Sequence, residues 1–232
     1  MDAAVDPALH VAGRRSRVIA DGLTVGATIL GILAVALLPL LTPWAMHAFL
    51  DSAQSAAWLA TDTGTTHALS DHTVNELLFG PGTFSFDGPG GTPFYDTSEV
   101  AHLDEARTLL WLLFGIAALA VLGVAVALVR SSSPANIVHA IGLGGAVTVV
   151  GVVILAVVGL FAFDPLFELF HRVFFPGGNW AFDPRTERLV QLYPFAFWQV
   201  TAAALGVIAG LLGVLVWLTA RLILGPDPDL GT

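Results

Sequence analysis

The sequence contains no cysteine and no lysine. The first absence excludes disulfides, thiolate catalysis and Cys–zinc sites. The second makes every basic residue an arginine, and the net charge is −9. That balance argues against a nucleic-acid partner, whose binding rests on phosphate neutralisation. Charge of either sign is scarce, at 12% of residues, against about 25% in an ordinary soluble domain. GxSxG, HExxH and P-loop motifs are missing too, which removes the common hydrolase, zinc-protease and nucleotide-binding signatures. Acidic loops, no lysine and abundant Ala, Val and Gly match a halophilic archaeon or a high-GC bacterium.

What is present is apolar. Hydrophobic residues make up 56% of the chain, and the mean hydropathy is +0.80. A membrane-spanning helix needs about 20 mostly apolar residues. Four stretches qualify, at about 22–44, 108–129, 137–163 and 194–224, and none has an acid or arginine at its middle. The first is too long for a signal-peptide core and has no clean cleavage site after it. The expectation is an all-α integral membrane protein, a four-transmembrane-helix bundle forming one membrane domain over 1–232. Arg14, Arg15 and Arg17 before the first span, Arg130 between the second and third, and Arg221 at the end of the fourth place both termini in the cytoplasm. Two outer segments follow, a long acidic one at about 45–107 and a shorter one at about 164–193. Trp44, Trp58, Trp111, Trp180 and Trp198 fall near the outer interface, as aromatic belts do. Gly22 with Gly26, and Gly206 with Gly210, have the spacing that permits close helix contact.

The long outer segment reads as a solvated polar loop over Thr61–His72. His67, Asp71 and His72 have a loose metal-ligand spacing there. Val74–Phe79 is a short amphipathic piece, and Gly80-Pro81-Gly82 and Gly88-Pro89-Gly90-Gly91 break regular structure. Asp96 and Glu99 then have capping-box spacing, so a helix starts there and runs into the second span. His102 lies at the membrane surface on that helix, with Glu99 and Glu105 each three residues away on its face. In the second outer segment, Asp164-Pro165 reads as an N-cap and N1 pair. It opens an interfacial helix to Phe175 whose narrow polar stripe holds Glu168, His171 and Arg172. Pro176-Gly177-Gly178 ends it, and Asp183-Pro184 starts another short helix before Tyr193-Pro194. Histidine is the side chain best suited to acid–base work near neutral pH. His102 and His171, both facing outside and each beside a carboxylate, are therefore the candidate catalytic pair.

The motifs around these histidines resemble the lipoprotein intramolecular transacylase (Lit-type) family of four-helix membrane proteins. The likeness runs through Tyr95, Glu99-Val-Ala-His102-Leu-Asp104, Phe170-His171, Phe174-Phe175, Asn179-Trp180-Ala-Phe182-Asp183-Pro184 and Pro194-Phe-Ala-Phe197. It covers roughly Tyr95 to Phe197. The resemblance implies an enzyme that moves an acyl chain from the diacylglyceryl group on a lipoprotein's N-terminal cysteine to the α-amino group. It implies His102 and His171 as catalytic residues, with no cofactor. Tyr95, Glu99, Asp104, Glu168, Trp180 and Asp183 are the supporting candidates. Such chemistry needs a base for the attacking amine and an acid for the departing glycerol oxygen.

An archaeal host would alter the substrate, because its ether lipids carry no acyl ester. The related reaction would attach an archaeol group to the lipobox cysteine thiol, with membrane phospholipid and lipoprotein N-terminus as partners. Arg172, Arg185 and Arg188 would then suit an anionic headgroup, unless they serve only as interfacial anchors. Two alternatives stand beside these. One is a metal-dependent membrane hydrolase using His102, Asp104, His171 and Asp183; the other is a non-enzymatic assembly factor. A transporter is disfavoured by the lack of ionisable residues at mid-span.

Overall fold

A computed structural model describes residues 7–225, with side chains from Arg17 onward; the candidate anchors Arg14 and Arg15 therefore lie outside the described side chains. Among the described residues there is no β-strand, only an isolated bridge between Asp87 and Pro93. The helices are α1 (Pro7–Leu37), α2 (Pro43–Ser52), α3 (Ser55–Leu59), α4 (Thr63–Leu78), α5 (Thr97–Arg130), α6 (Pro134–Phe174), α7 (Arg188–Leu192) and α8 (Phe195–Leu224), with a 3-10 turn at Leu38–Leu41. Four of them, α1 with its 3-10 turn, α5, α6 and α8, are long and apolar enough to cross a membrane. The protein is an all-α integral membrane protein.

Local chemistry sets the boundaries. Pro39 and Pro43 cannot donate into a preceding turn, so α1 tightens into the 3-10 turn and α2 restarts with proline in its first turn. The expected capping box opens α5. Asp96 Oδ1 accepts from the Glu99 N–H at 2.9 Å, and Glu99 Oε2 accepts from the Asp96 N–H at 2.7 Å. That Glu99 N–H holds the Asp96 carboxyl below its ordinary range. The interfacial helix after the third span is set off from it, as expected. α6 comprises two helices that meet at a kink at Ala162, whose backbone is non-helical (φ −145°, ψ 41°). The break gives room for the Pro165 ring, which would otherwise meet the carbonyl four residues back. Asp164 and Pro165 thus stand in the first turn after the kink, two and three residues past Ala162.

The chain divides into two compact units. One comprises residues 1–34, 116–152 and 209–232. Within it, glycines set how closely helices approach. A Cβ on Gly145 would come within 2.6 Å of the Gly213 carbonyl oxygen, and one on Gly144 within 2.6 Å of Thr28 Cβ. By contrast, Gly22 and Gly26 have open space around them. The close contacts in this unit are therefore not made by Gly22 and Gly26, one of the two pairs that the spacing singled out. Large apolar side chains face outward, Leu122 and Leu211 among them, as lipid-facing helices require.

The other unit comprises residues 35–115 and 153–208. It has its own apolar core, built from Met46, Leu50, Leu59, Leu69, Phe84, Phe94, Leu103, Leu192 and Phe197 among others. Within the long outer segment, Thr63–Leu78 forms α4, which corrects the reading of Thr61–His72 as a polar loop. α4 lacks the apolar stripe that marks an amphipathic helix. Its buried face mixes apolar Leu69 and Val74 with small polar residues, Thr66, Ser70 and Thr73. Ser70 Oγ meets the Tyr193 hydroxyl at 3.1 Å, and Thr73 Oγ1 meets that of Tyr95 at 2.8 Å.

Candidate active site

Every residue of the site belongs to the second unit. α5 presents His102 in its second turn, and α6 presents His171 in its last turn. The two rings stack with centroids 5.9 Å apart and planes 22° from parallel. Both are buried, at 9% and 7% exposure. The walls are aromatic. Phe175 sits 4.5 Å from the His102 ring and Phe182 5.5 Å from it. Phe167 and Trp180 lie 4.2 and 5.1 Å from the His171 ring. Phe163, Phe167 and Phe195 pack together and hold the end of α6 against the start of α8.

The two imidazoles differ in their partners. His171 Nδ1 lies 2.8 Å from the Phe167 carbonyl oxygen. A carbonyl only accepts, so the proton sits on Nδ1 and the lone pair of the neutral ring is left on Nε2. His102 Nδ1 is buried with no hydrogen-bond partner among the described residues. An unmade bond at a buried polar atom costs on the order of 1–3 kcal/mol, which a bound substrate can offset.

The expected carboxylate partners do other work. Glu99, 2% exposed, bonds neither histidine. Its Oε1 accepts from the Leu189 N–H at 2.6 Å, tying α7 to the start of α5. Glu168 pairs with Arg172. Asp183 pairs with Arg185 at 2.7 Å, and the guanidinium holds its carboxyl down to about 2. Arg188 donates to Gln191 Oε1. α7 begins at Arg188 rather than at Asp183-Pro184, because Asp183 closes a turn by accepting from the Thr186 and Glu187 N–H groups through its backbone carbonyl. Asp104 is exposed. Tyr95 is buried among Phe86 and Phe94, away from the rings, and burial drives its phenol well above the ordinary range. Of the supporting candidates, only Trp180 touches a histidine ring. Phe167 was absent from the sequence candidates, though it sits four residues before His171, on the same helix face.

No group of three or more His, Asp or Glu is gathered as a metal site among the described residues. His67 Nε2 bonds Asp51 at 2.8 Å and His47 Nε2 bonds Asp71 at 2.9 Å, with the His47 and His67 rings stacked at 3.9 Å. His72 packs on Phe86 instead. The hydrolase alternative thus lacks a ligand set.

Four apolar helices define a membrane protein, and its second unit encloses a buried histidine pair in aromatic walls. The family model for lipoprotein intramolecular transacylase Lit matches residues 69–198, and the chain belongs to that family, a class of transferases. Its fold is similar to the in meso structure of the Lit protein of Bacillus cereus, with TM-score 0.70 and 18% identity over 90% of this chain and 96% of that one. Two histidine variants of that protein match at TM-scores of 0.70 and 0.69, each at 18% identity, over 93% and 92% of this chain and 94% and 96% of theirs. Among curated proteins, no sequence matches the chain.

Proposed function

We propose that the protein moves an acyl chain within a diacylglyceryl-modified lipoprotein, from the glycerol ester to the α-amine of the N-terminal cysteine. The carrying observation is the histidine pair: two stacked imidazoles in an aromatic enclosure, one of them tautomer-fixed by the Phe167 carbonyl. The amine nitrogen attacks the ester carbonyl carbon. The N–C bond forms as the ester C–O bond breaks. His171 Nε2 takes the amine proton and becomes imidazolium, and that proton passes by way of His102 to the departing glycerol oxygen, so both rings end neutral, as they began. The aromatic walls accept acyl chains and keep water from the ester.

The site faces the extracytoplasmic side of the plasma membrane, with both termini in the cytoplasm. Support comes from the arginines before the first span and from Arg130 and Arg221. Arg172, Arg185 and Arg188 meet lipid headgroups there as partnered groups, since each already has a polar neighbour.

Mass spectrometry of a lipoprotein's N-terminal lipopeptide, with and without this protein, tests the reading. Transacylation leaves the intact mass unchanged and moves one acyl chain into the fragment that carries the α-amine. A lipopeptide identical in both strains counts against any lipid transfer. The lysine-free composition keeps a second outcome in view: in a host with ether lipids, the thiol would gain a whole archaeol group, and the intact mass would rise.

A further inference from the structure

Glu105 lies three residues after His102 on α5, so the two share a helix face. It is exposed and forms no ion pair among the described residues. Its Oε1 is 3.4 Å from the position that a Cβ on Gly177 would occupy. Asn179 Oδ1 is 3.8 Å from that same point, and it is buried with no hydrogen-bond partner. Asn179 leads directly into Trp180, whose ring flanks that of His171. Two acceptor oxygens, one of them anionic, thus flank a single glycine six residues after His171, and neither has a donor among the described residues. The nearest arginine in sequence to the His171 ring, Arg172, is committed to Glu168. A compact cation with several N–H donors satisfies such a set, and a primary ammonium is that group.

We infer that Glu105 and Asn179 form a subsite for the free α-ammonium of the lipoprotein's N-terminal cysteine, and that this subsite selects amine-bearing termini over N-acylated ones. The inference rests on the transacylase reading and names what that site recognises. An acylated terminus has no charge and a single N–H, so it leaves the carboxylate and the amide oxygen unpaired. The same loss of charge after acyl transfer weakens the hold on product.

The test uses the full-length protein in detergent micelles and two synthetic diacylglyceryl-cysteinyl lipopeptides, one with a free amine and one N-acetylated. Fluorescence anisotropy reads binding, and mass spectrometry reads acyl transfer. The parent protein is expected to bind the free amine about tenfold more tightly, the scale of one charge-assisted contact. Glu105→Gln removes most of that preference and raises KM more than it lowers kcat. Gly177→Ala does the same by filling the space between the two oxygens; its methyl would make only ordinary contacts, so the fold tolerates it. Equal binding of both lipopeptides by the parent overturns the inference, and so does an undiminished preference in Glu105→Gln. Conversion without preference sinks the subsite alone. Preference without conversion keeps the subsite and sinks the transacylase reading. Neither binding nor conversion sinks both.

Discussion

The Leu189 backbone N–H donates to Glu99 Oε1 at 2.6 Å across 90 residues of sequence. The other oxygen of that carboxylate accepts from the Asp96 N–H at 2.7 Å. One buried side chain thus closes the cap of α5 and anchors the first turns of α7, one turn ahead of His102.

Glu99→Ala would strand both N–H donors in a buried position. The expected loss is about 3 kcal/mol of stability, from two charge-assisted hydrogen bonds. Glu99→Gln keeps one acceptor oxygen and should lose roughly half as much. Thermal unfolding in detergent measures both; an alanine variant that melts with the parent would show that the bridge is idle.

Replacing either histidine of the stacked pair by alanine should lower acyl transfer by about 10²–10⁴-fold, the range of one positioned acid or base. Because the pair acts as a unit, the double variant should be little worse than the worse single one. Binding of lipopeptide should persist in all three. Rates from single-turnover mass spectrometry decide it, and a double variant slower by the product of the two single losses would refute the shared role.

Burial pushes the Tyr193 phenol up to about 12. Its folded value is raised, so its contribution to stability is complete below the unfolded value of about 10 and drains away as pH rises toward 12. The Tyr95 phenol is raised in the same direction, so it adds to the effect. The parent should therefore lose thermal stability steeply across that alkaline window. Tyr193→Phe should begin about 1 kcal/mol less stable, through loss of the Ser70 hydrogen bond, and fall less steeply. Parallel pH curves for the two proteins would contradict this.

Gly145→Ala and Gly213→Ala each drive a methyl into the opposing backbone, at 2.6 and 2.8 Å. Overpacking of this kind costs about 1–3 kcal/mol. Gly22→Ala and Gly26→Ala meet open space, and they should leave stability unchanged or slightly raised. Melting temperatures of the four variants in one detergent give the comparison, and equal losses at all four positions would be inconsistent with the glycine contacts described.

The four spans, the capping box at Asp96 and Glu99, and the helices that carry His102 and His171 are legible in the order of residues alone. Those features are local: a span is a run of apolar residues, a cap is a spacing of three, and both are written in consecutive positions. Only the tertiary structure decided which groups meet. Glu99 looked like a partner for His102, yet its two oxygens are taken by backbone donors, one of them 90 residues away. Residues 61–72 looked like a polar loop, because α4 buries Thr66, Ser70 and Thr73 alongside Leu69 and Val74 and so shows no continuous apolar stripe. That choice makes physical sense only beside the hydroxyls of Tyr95 and Tyr193, which satisfy two of them. Hydrogen-bond partners and glycine contacts depend on where distant segments come together, and no local pattern records that closure.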